Sequence, residues 1–146
     1  YITMEQTETH FDGKVALKAL IVRGDEVLVI RDPREEREIW EIPGGRLNEG
    51  ESLEEGLQRE VREELGVTIE VGEVLTMSQF FQYSEKRNAL AVVFVAALSD
   101  PAATFTLEEG EVEVVRWITK ADMNKMEFFP EYEAALRKHF ATLENV

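Results

Sequence analysis

Hydrophobic and polar positions recur along this chain with two periods, one of strands and one of helices. From Lys14 to Val22 the residues are β-branched and apolar, and Val27–Ile30 resumes the run after Arg23-Gly24-Asp25-Glu26. Gly24-Asp25 is a hairpin signal, so two antiparallel strands are predicted there. A charged loop from Asp32 to Glu38 leads to a short strand over Ile39–Ile42, stopped by Pro43-Gly44-Gly45. Val67–Val71, Val74–Tyr83, Ala89–Leu98 and Val112–Ile118 are further strand candidates. Ser52–Leu65 reads as a helix, with Ser52 and Glu55 as a capping box and Gly66 as a left-handed C-cap. Thr119–Lys125 reads as a short helix capped by Thr119. A last helix starts near Pro130, with Tyr132, Leu136, His139, Phe140 and Leu143 at helical spacing. Strands interleaved with two or three helices predict an α/β sandwich rather than a bundle. The expected organisation is a polar arm or edge strand over 1–13, followed by a single domain over 14–146.

Composition narrows the function. At 146 residues the chain is long enough for one good core. Sixteen basic against thirty acidic residues give a net charge of −14, which disfavours tight binding to nucleic acid or anionic membrane. The absence of cysteine excludes disulfides, thiolate metal sites and a cysteine nucleophile. No apolar run approaches a membrane span and no basic, apolar-cored leader is seen, so a cytoplasmic location is expected. Tyr1-Ile2-Thr3 precedes Met4, either as an appended remnant or as the trace of a longer chain.

The helix over Ser52–Leu65 carries an electrostatic problem. Spacing residues about 100° apart puts Leu53, Leu57 and Val61 on one stripe, with Glu60 and Glu64 inside it and Glu63 on its margin. The three carboxylates occupy the last two turns, where the helix dipole disfavours negative charge and their spacing adds like-charge repulsion. A hard divalent cation, Mg²⁺ or Mn²⁺, would remove these penalties, and there is no Cys or paired His to favour zinc. Taken alone, a glutamate run is more often a solvated face.

The flanks change that reading. From Gly45 there are five residues to Glu51, seven more to Arg59, and then Glu60-Val61-Arg62-Glu63-Glu64-Leu65-Gly66-Val67. Every specified position of the Nudix box is filled, and the chain resembles a Nudix hydrolase over residues 14–143. The resemblance implies a Nudix-type α/β/α sandwich with a mixed β-sheet. It also implies that water cleaves the pyrophosphate bond of a nucleoside diphosphate linked to another moiety, using divalent metal ions. By the same resemblance Glu60, Glu63 and Glu64 ligate metal, Arg59 orients them, Glu51 braces loop and helix, and Gly45 opens the box. Gly44 matches a backbone carbonyl that ligates metal in some members, although Gly44-Gly45 alone would read as a tight turn.

The general base is either Glu60 or a late-loop glutamate, for which Glu111 in Glu108-Glu109-Gly110-Glu111 is the choice; solvated loop charge explains that cluster equally well. For substrate binding the candidates are Trp40, Phe81 and Tyr83, with Phe128-Phe129 also able to stack on a base. Trp40 reads equally as core, and Phe81 and Tyr83 as ordinary strand residues. Ser78-Gln79-Phe80-Phe81-Gln82-Tyr83-Ser84 half resembles the array of NADH-cleaving members but lacks its prolines and tryptophan. Tyr83 resembles a tyrosine of dinucleoside polyphosphate hydrolases, and the proline of ADP-ribose hydrolases is missing near Gln82. The substrate is therefore left open beyond a small nucleotide. Isoprenoid isomerases, which rely on cysteine, and RNA-decapping members, which need basic surface, are disfavoured. The resemblance allows a homodimer and leaves the oligomeric state open, and a catalytically inactive nucleotide-sensing module is the rival function.

Overall fold

The computed structural model describes residues 9–144; most of the expected N-terminal arm, residues 1–8, lies outside them. Strand β1 (Gly13–Arg23) and strand β2 (Glu26–Arg31) form the predicted hairpin, with Gly24 at φ +60° in the turn. They are followed by β3 (Ile39–Glu41), β4 (Gly44–Arg46), helix α1 (Leu53–Leu65), β5 (Ile69–Gln82), β6 (Arg87–Leu98), β7 (Val114–Ile118), α2 (Lys120–Met123), β8 (Glu127–Phe128) and α3 (Pro130–Glu144). β1 runs parallel to β6 from Gly13↔Asn88 to Ile21↔Ala96, and β5 is antiparallel to β6. β2 pairs antiparallel with β3 and β7, and β3 pairs parallel with β8, so the sheet is mixed.

Strand alternation sorts side chains into two cores. Leu17, Ala19 and Ile21 of β1 face the same core as Leu57, Val61 and Leu65 of α1. Leu20 of β1, with Val27 and Val29 of β2, faces the core made with Leu136 and Phe140 of α3. The period of two thus buries both faces of the sheet, one under each long helix. The expected mixed-sheet sandwich is the fold observed.

Several expected boundaries move. Val67–Val71 and Val74–Tyr83, read as two strands, form one strand, β5, because irregularities at Val71/Val74 and Val74/Thr76 break the apolar period without breaking the pairing with β6. Pro43-Gly44-Gly45 does not simply stop β3: Gly44–Arg46 turns back to pair with Ala16–Lys18. Leu53 and Leu143, placed on apolar stripes, are exposed because each sits at a helix end beyond the reach of the core. The Ser52 hydroxyl accepts from Glu55 N–H at 3.1 Å, and Gly66 caps α1 at φ 67°. A full capping box stands instead at α2, where the Asp122 carboxylate accepts from the Thr119 N–H at 3.0 Å. Among the described residues no helix is long and apolar enough to cross a membrane.

His139 on α3 is buried, and its Nε2 has no hydrogen-bond partner among the described residues. Burial lowers its pKa, so the folded state holds it neutral. As pH falls through the ordinary histidine range, near 6.5, the unfolded chain takes up a proton that the folded one refuses, and stability drops. A His139→Leu variant is expected to show a shallower fall in Tm between pH 7 and pH 5 than the parent; parallel curves in scanning calorimetry would refute this.

Candidate active site

The acidic end of α1 is organised around one guanidinium. Arg59 Nε donates to Glu51 Oε2 at 2.5 Å, and its Nη2 donates to Glu51 Oε1 at 3.0 Å and the Arg46 carbonyl at 2.9 Å. Its Nη1 reaches Glu60 Oε1 at 2.8 Å and Glu63 Oε2 at 3.2 Å. Glu51 also accepts from Asn48 N–H at 2.8 Å. The bonds from Arg59, then the one from Asn48, hold Glu51 below the usual carboxylate range. One side chain thereby ties the loop after β4 to three glutamates of the box, as charge-assisted fork geometry allows.

Glu64 is placed differently. It is half-buried, and its Oε1 accepts from Gly44 N–H at 2.7 Å. Burial pushes its carboxyl up to about 8, against the opposing influence of Lys18 and the Gly44 bond. The two glycines make room for this arrangement. A Cβ on Gly45 would stand 2.2 Å from Glu60 Oε2, so the missing side chain leaves the space that carboxylate fills. Gly44 has φ +143°, and a Cβ there would meet the Leu17 carbonyl oxygen at 1.9 Å.

Among the described residues no three carboxylates converge on one point. Glu60 and Glu63 turn to Arg59, and Glu64 turns to Gly44. The donors nevertheless fit a hard cation: they are all oxygens, they come from adjacent turns of one helix, and the gap at Gly45 lets Glu60 reach the loop backbone. Arg59→Lys keeps a charge but loses the fork, which holds Glu51, Glu60 and Glu63 together. It is expected to weaken Mn²⁺ binding about tenfold to a hundredfold in calorimetry with the fold intact, as outer-shell changes do; unchanged affinity would contradict the positioning role.

A cleft of about 810 Å³ opens beside this helix end, and Gly44, Gly45 and Glu64 line it. Phe81 and Tyr83 stand on its rim, 44% and 83% exposed, in an edge-to-face pair 5.0 Å apart. Trp40 belongs instead to the core under α3 at 3% exposure, so its candidate stacking role is replaced by the packing role. Phe128 is buried in the same core, whereas Phe129 lines the cleft.

The loop between β6 and β7 reaches the site by capping α1. Thr106 N–H donates to the Leu65 carbonyl and Glu108 N–H to the Glu64 carbonyl, both at 2.9 Å. Glu111 lines the cleft and pairs with Arg34 at 2.9 Å. Its neighbour Glu108, not singled out by the sequence, has its carboxyl raised by burial and by the charges of Glu111, Glu63 and Glu60. Lys18 and Glu41 were likewise not singled out. Lys18 is buried in the cleft floor, with Nζ 2.8 Å from Glu41 Oε1. A lone charge inside the apolar run Val15–Ile21 is the sequence signal that could have found it.

Comparison with known proteins gives the family of the chain. The family model of the NUDIX domain matches residues 14–140. Nudix hydrolase 2 of Arabidopsis thaliana is 30% identical over 128 residues, covering 82% of this chain and 44% of that protein. A MutT-like protein of Streptomyces ambofaciens is 31% identical over 112 residues, covering 76% of this chain and 67% of its own length. The chain spans less than half the length of the Arabidopsis relative. The solved structure of the MutT protein from Methanosarcina mazei Go1 superposes with a TM-score of 0.73 at 26% identity, covering 95% of this chain and all of that one.

Proposed function

This chain belongs to the Nudix family, and on that premise we propose that it hydrolyses the pyrophosphate bond of a nucleoside diphosphate joined to a second group, with water and divalent metal ions. The observation that carries the reading is the meeting of the acidic helix end with the cleft: Glu64 belongs to both, and Gly44 and Gly45 of β4, which stand against Glu64 and Glu60, line the cleft beside it. Glu60, Glu63 and Glu64, with the Gly44 carbonyl, would hold Mg²⁺ or Mn²⁺. Such an ion, when bound, neutralises phosphate charge and acidifies water. Arg59, itself held by Glu51, fixes Glu60 and Glu63 before substrate arrives, and the Gly44 N–H fixes Glu64. The proton of the attacking water goes to Glu60 or to a carboxylate of the late loop. In that loop Glu111 is held by Arg34, while burial and the charges of Glu111, Glu63 and Glu60 raise the Glu108 carboxyl. Phe81 and Tyr83 offer a stacking surface at the cleft rim.

The test is incubation with Mg²⁺ and single nucleoside diphosphate derivatives (dinucleotides, nucleotide sugars, dinucleoside polyphosphates, nucleoside triphosphates), with product analysis. Metal-dependent release of a mononucleotide supports the reading. Saturable binding of these compounds without any release would favour a sensing module instead.

A further inference from the structure

The cleft contains a charged pair to which the proposed reaction assigns no contact with substrate, although Lys18 also favours the charged form of Glu64. Lys18 of β1 is 7% exposed, and its ammonium donates to Glu41 Oε1 at 2.8 Å and to the Ile42 carbonyl at 3.3 Å. It lies 5.0 Å from the centre of the Tyr132 ring on α3. Burial opposes its charge, but Glu41, Tyr132 and Glu64 outweigh that and hold it protonated. Taking an ammonium and a carboxylate out of water costs several kcal/mol per ion, and apolar residues of similar size often serve stability better. The influence on Glu64 gives Lys18 a reason to be there, but not the Glu41 carboxylate beside it.

Its surroundings supply one. Among the described residues Glu41 Oε2 accepts from no protein donor, and Glu41 lines the cleft beside Lys18. Phe80 and Phe81 of β5 and Phe129 and Tyr132 of the α3 end line the same cleft. Aromatic walls around a fixed polar pair suit a flat ring with a hydrogen-bonding edge. The pair presents one donor, the ammonium, next to two acceptors, the carboxylate oxygens. The complementary edge reads acceptor, donor, donor. Among the common bases guanine has it, in O6, N1–H and N2–H₂; adenine offers one donor beside one acceptor, and hypoxanthine lacks the amino group.

We propose that Glu41, positioned by Lys18, reads the edge of a guanine base, making guanine nucleotides the preferred substrate class. This rests on the nucleotide-hydrolase reading above for the identity of the ligand but not on turnover. A site built around a charged acceptor discriminates strongly against a ligand that lacks the donor.

The test is calorimetric binding of GMP, IMP and AMP in Mg²⁺ to the whole chain, alongside the hydrolysis panel. GMP is expected to bind about tenfold to a hundredfold more tightly than IMP, as the loss of one bond to a charged group implies. Glu41→Gln, which swaps one acceptor for a donor, is expected to bring that ratio within about threefold. Should Glu41→Gln fail to fold because it strands the ammonium, the double variant Lys18→Met/Glu41→Gln, which buries no charge, carries the same expectation. Equal binding of GMP and IMP by the parent, no binding of any of the three, or a ratio that survives Glu41→Gln would overturn the proposal. Hydrolysis without base preference would sink base reading alone; preference without hydrolysis of any derivative would sink the proposed activity alone.

Discussion

Glu60→Gln and Glu64→Gln are each expected to cut Mg²⁺-dependent turnover by about a thousandfold while the protein stays folded. The size follows from the several kcal/mol that a positioned metal ion contributes to phosphoryl transfer, at about 1.4 kcal/mol per tenfold. The two variants should part company in stability without metal. Burial pushes the Glu64 carboxyl up to about 8, so the folded chain holds a proton there that the unfolded chain has already released above the ordinary carboxylate range. Stability contributed by that proton is present at low pH and fades as pH rises toward 8. In chelator, Glu64→Gln should therefore be more heat-stable than the parent at pH 8, and its Tm should depend less on pH between 5 and 8. Added Mg²⁺ should raise the parent's Tm and leave the variant's unmoved. Glu60 is paired with Arg59 at 2.8 Å, so its loss brings no such gain. Undiminished hydrolysis by either variant would remove the site.

The second large effect concerns two adjacent glycines that fail in different ways. Gly44→Ala puts a Cβ 1.9 Å from the Leu17 carbonyl oxygen, with φ at +143°. Backbone cannot swing aside as a side chain can, so the β1–β4 pairing must open, at a cost of about 3 kcal/mol or more. Gly45→Ala meets only the end of the Glu60 side chain, at 2.2 Å from Oε2. That carboxylate can rotate away, so the stability change should stay within about 1 kcal/mol while metal affinity and turnover fall. Urea titration measures the first effect and Mn²⁺ titration the second. Equal stability losses in both variants would mean that the Gly45 gap is simple packing.

The acidic helix is more legible in the sequence than the cleft. Glu60 and Glu64 were placed on the inward stripe and Glu63 on its margin by the 3.6-residue period alone, and in the fold the first two are half-buried and Glu63 exposed. The cap at Gly66 followed from its lack of a Cβ. What local pattern cannot carry is contact between distant strands. Lys18 and Glu41 meet because β1 and β3 both border the cleft, and neither residue's neighbours announce this. Trp40 illustrates the same limit: period and composition allowed both core and pocket, and packing against α3 decided it. The single strand β5 looks like two in the sequence because irregular pairing around Gly72 hides the alternation. Within the late loop, local pattern does not show that the Glu108 backbone caps α1 while Glu111 lines the cleft, since both depend on how the loop meets that helix.

Titration of the metal-free protein with Mn²⁺, followed by electron paramagnetic resonance, addresses the central claim most directly. Saturable uptake of at least about one ion per chain, abolished by Glu60→Gln and by Glu64→Gln, is what an acidic helix end completed by dications predicts. Absence of uptake, or uptake that both substitutions leave intact, would contradict it.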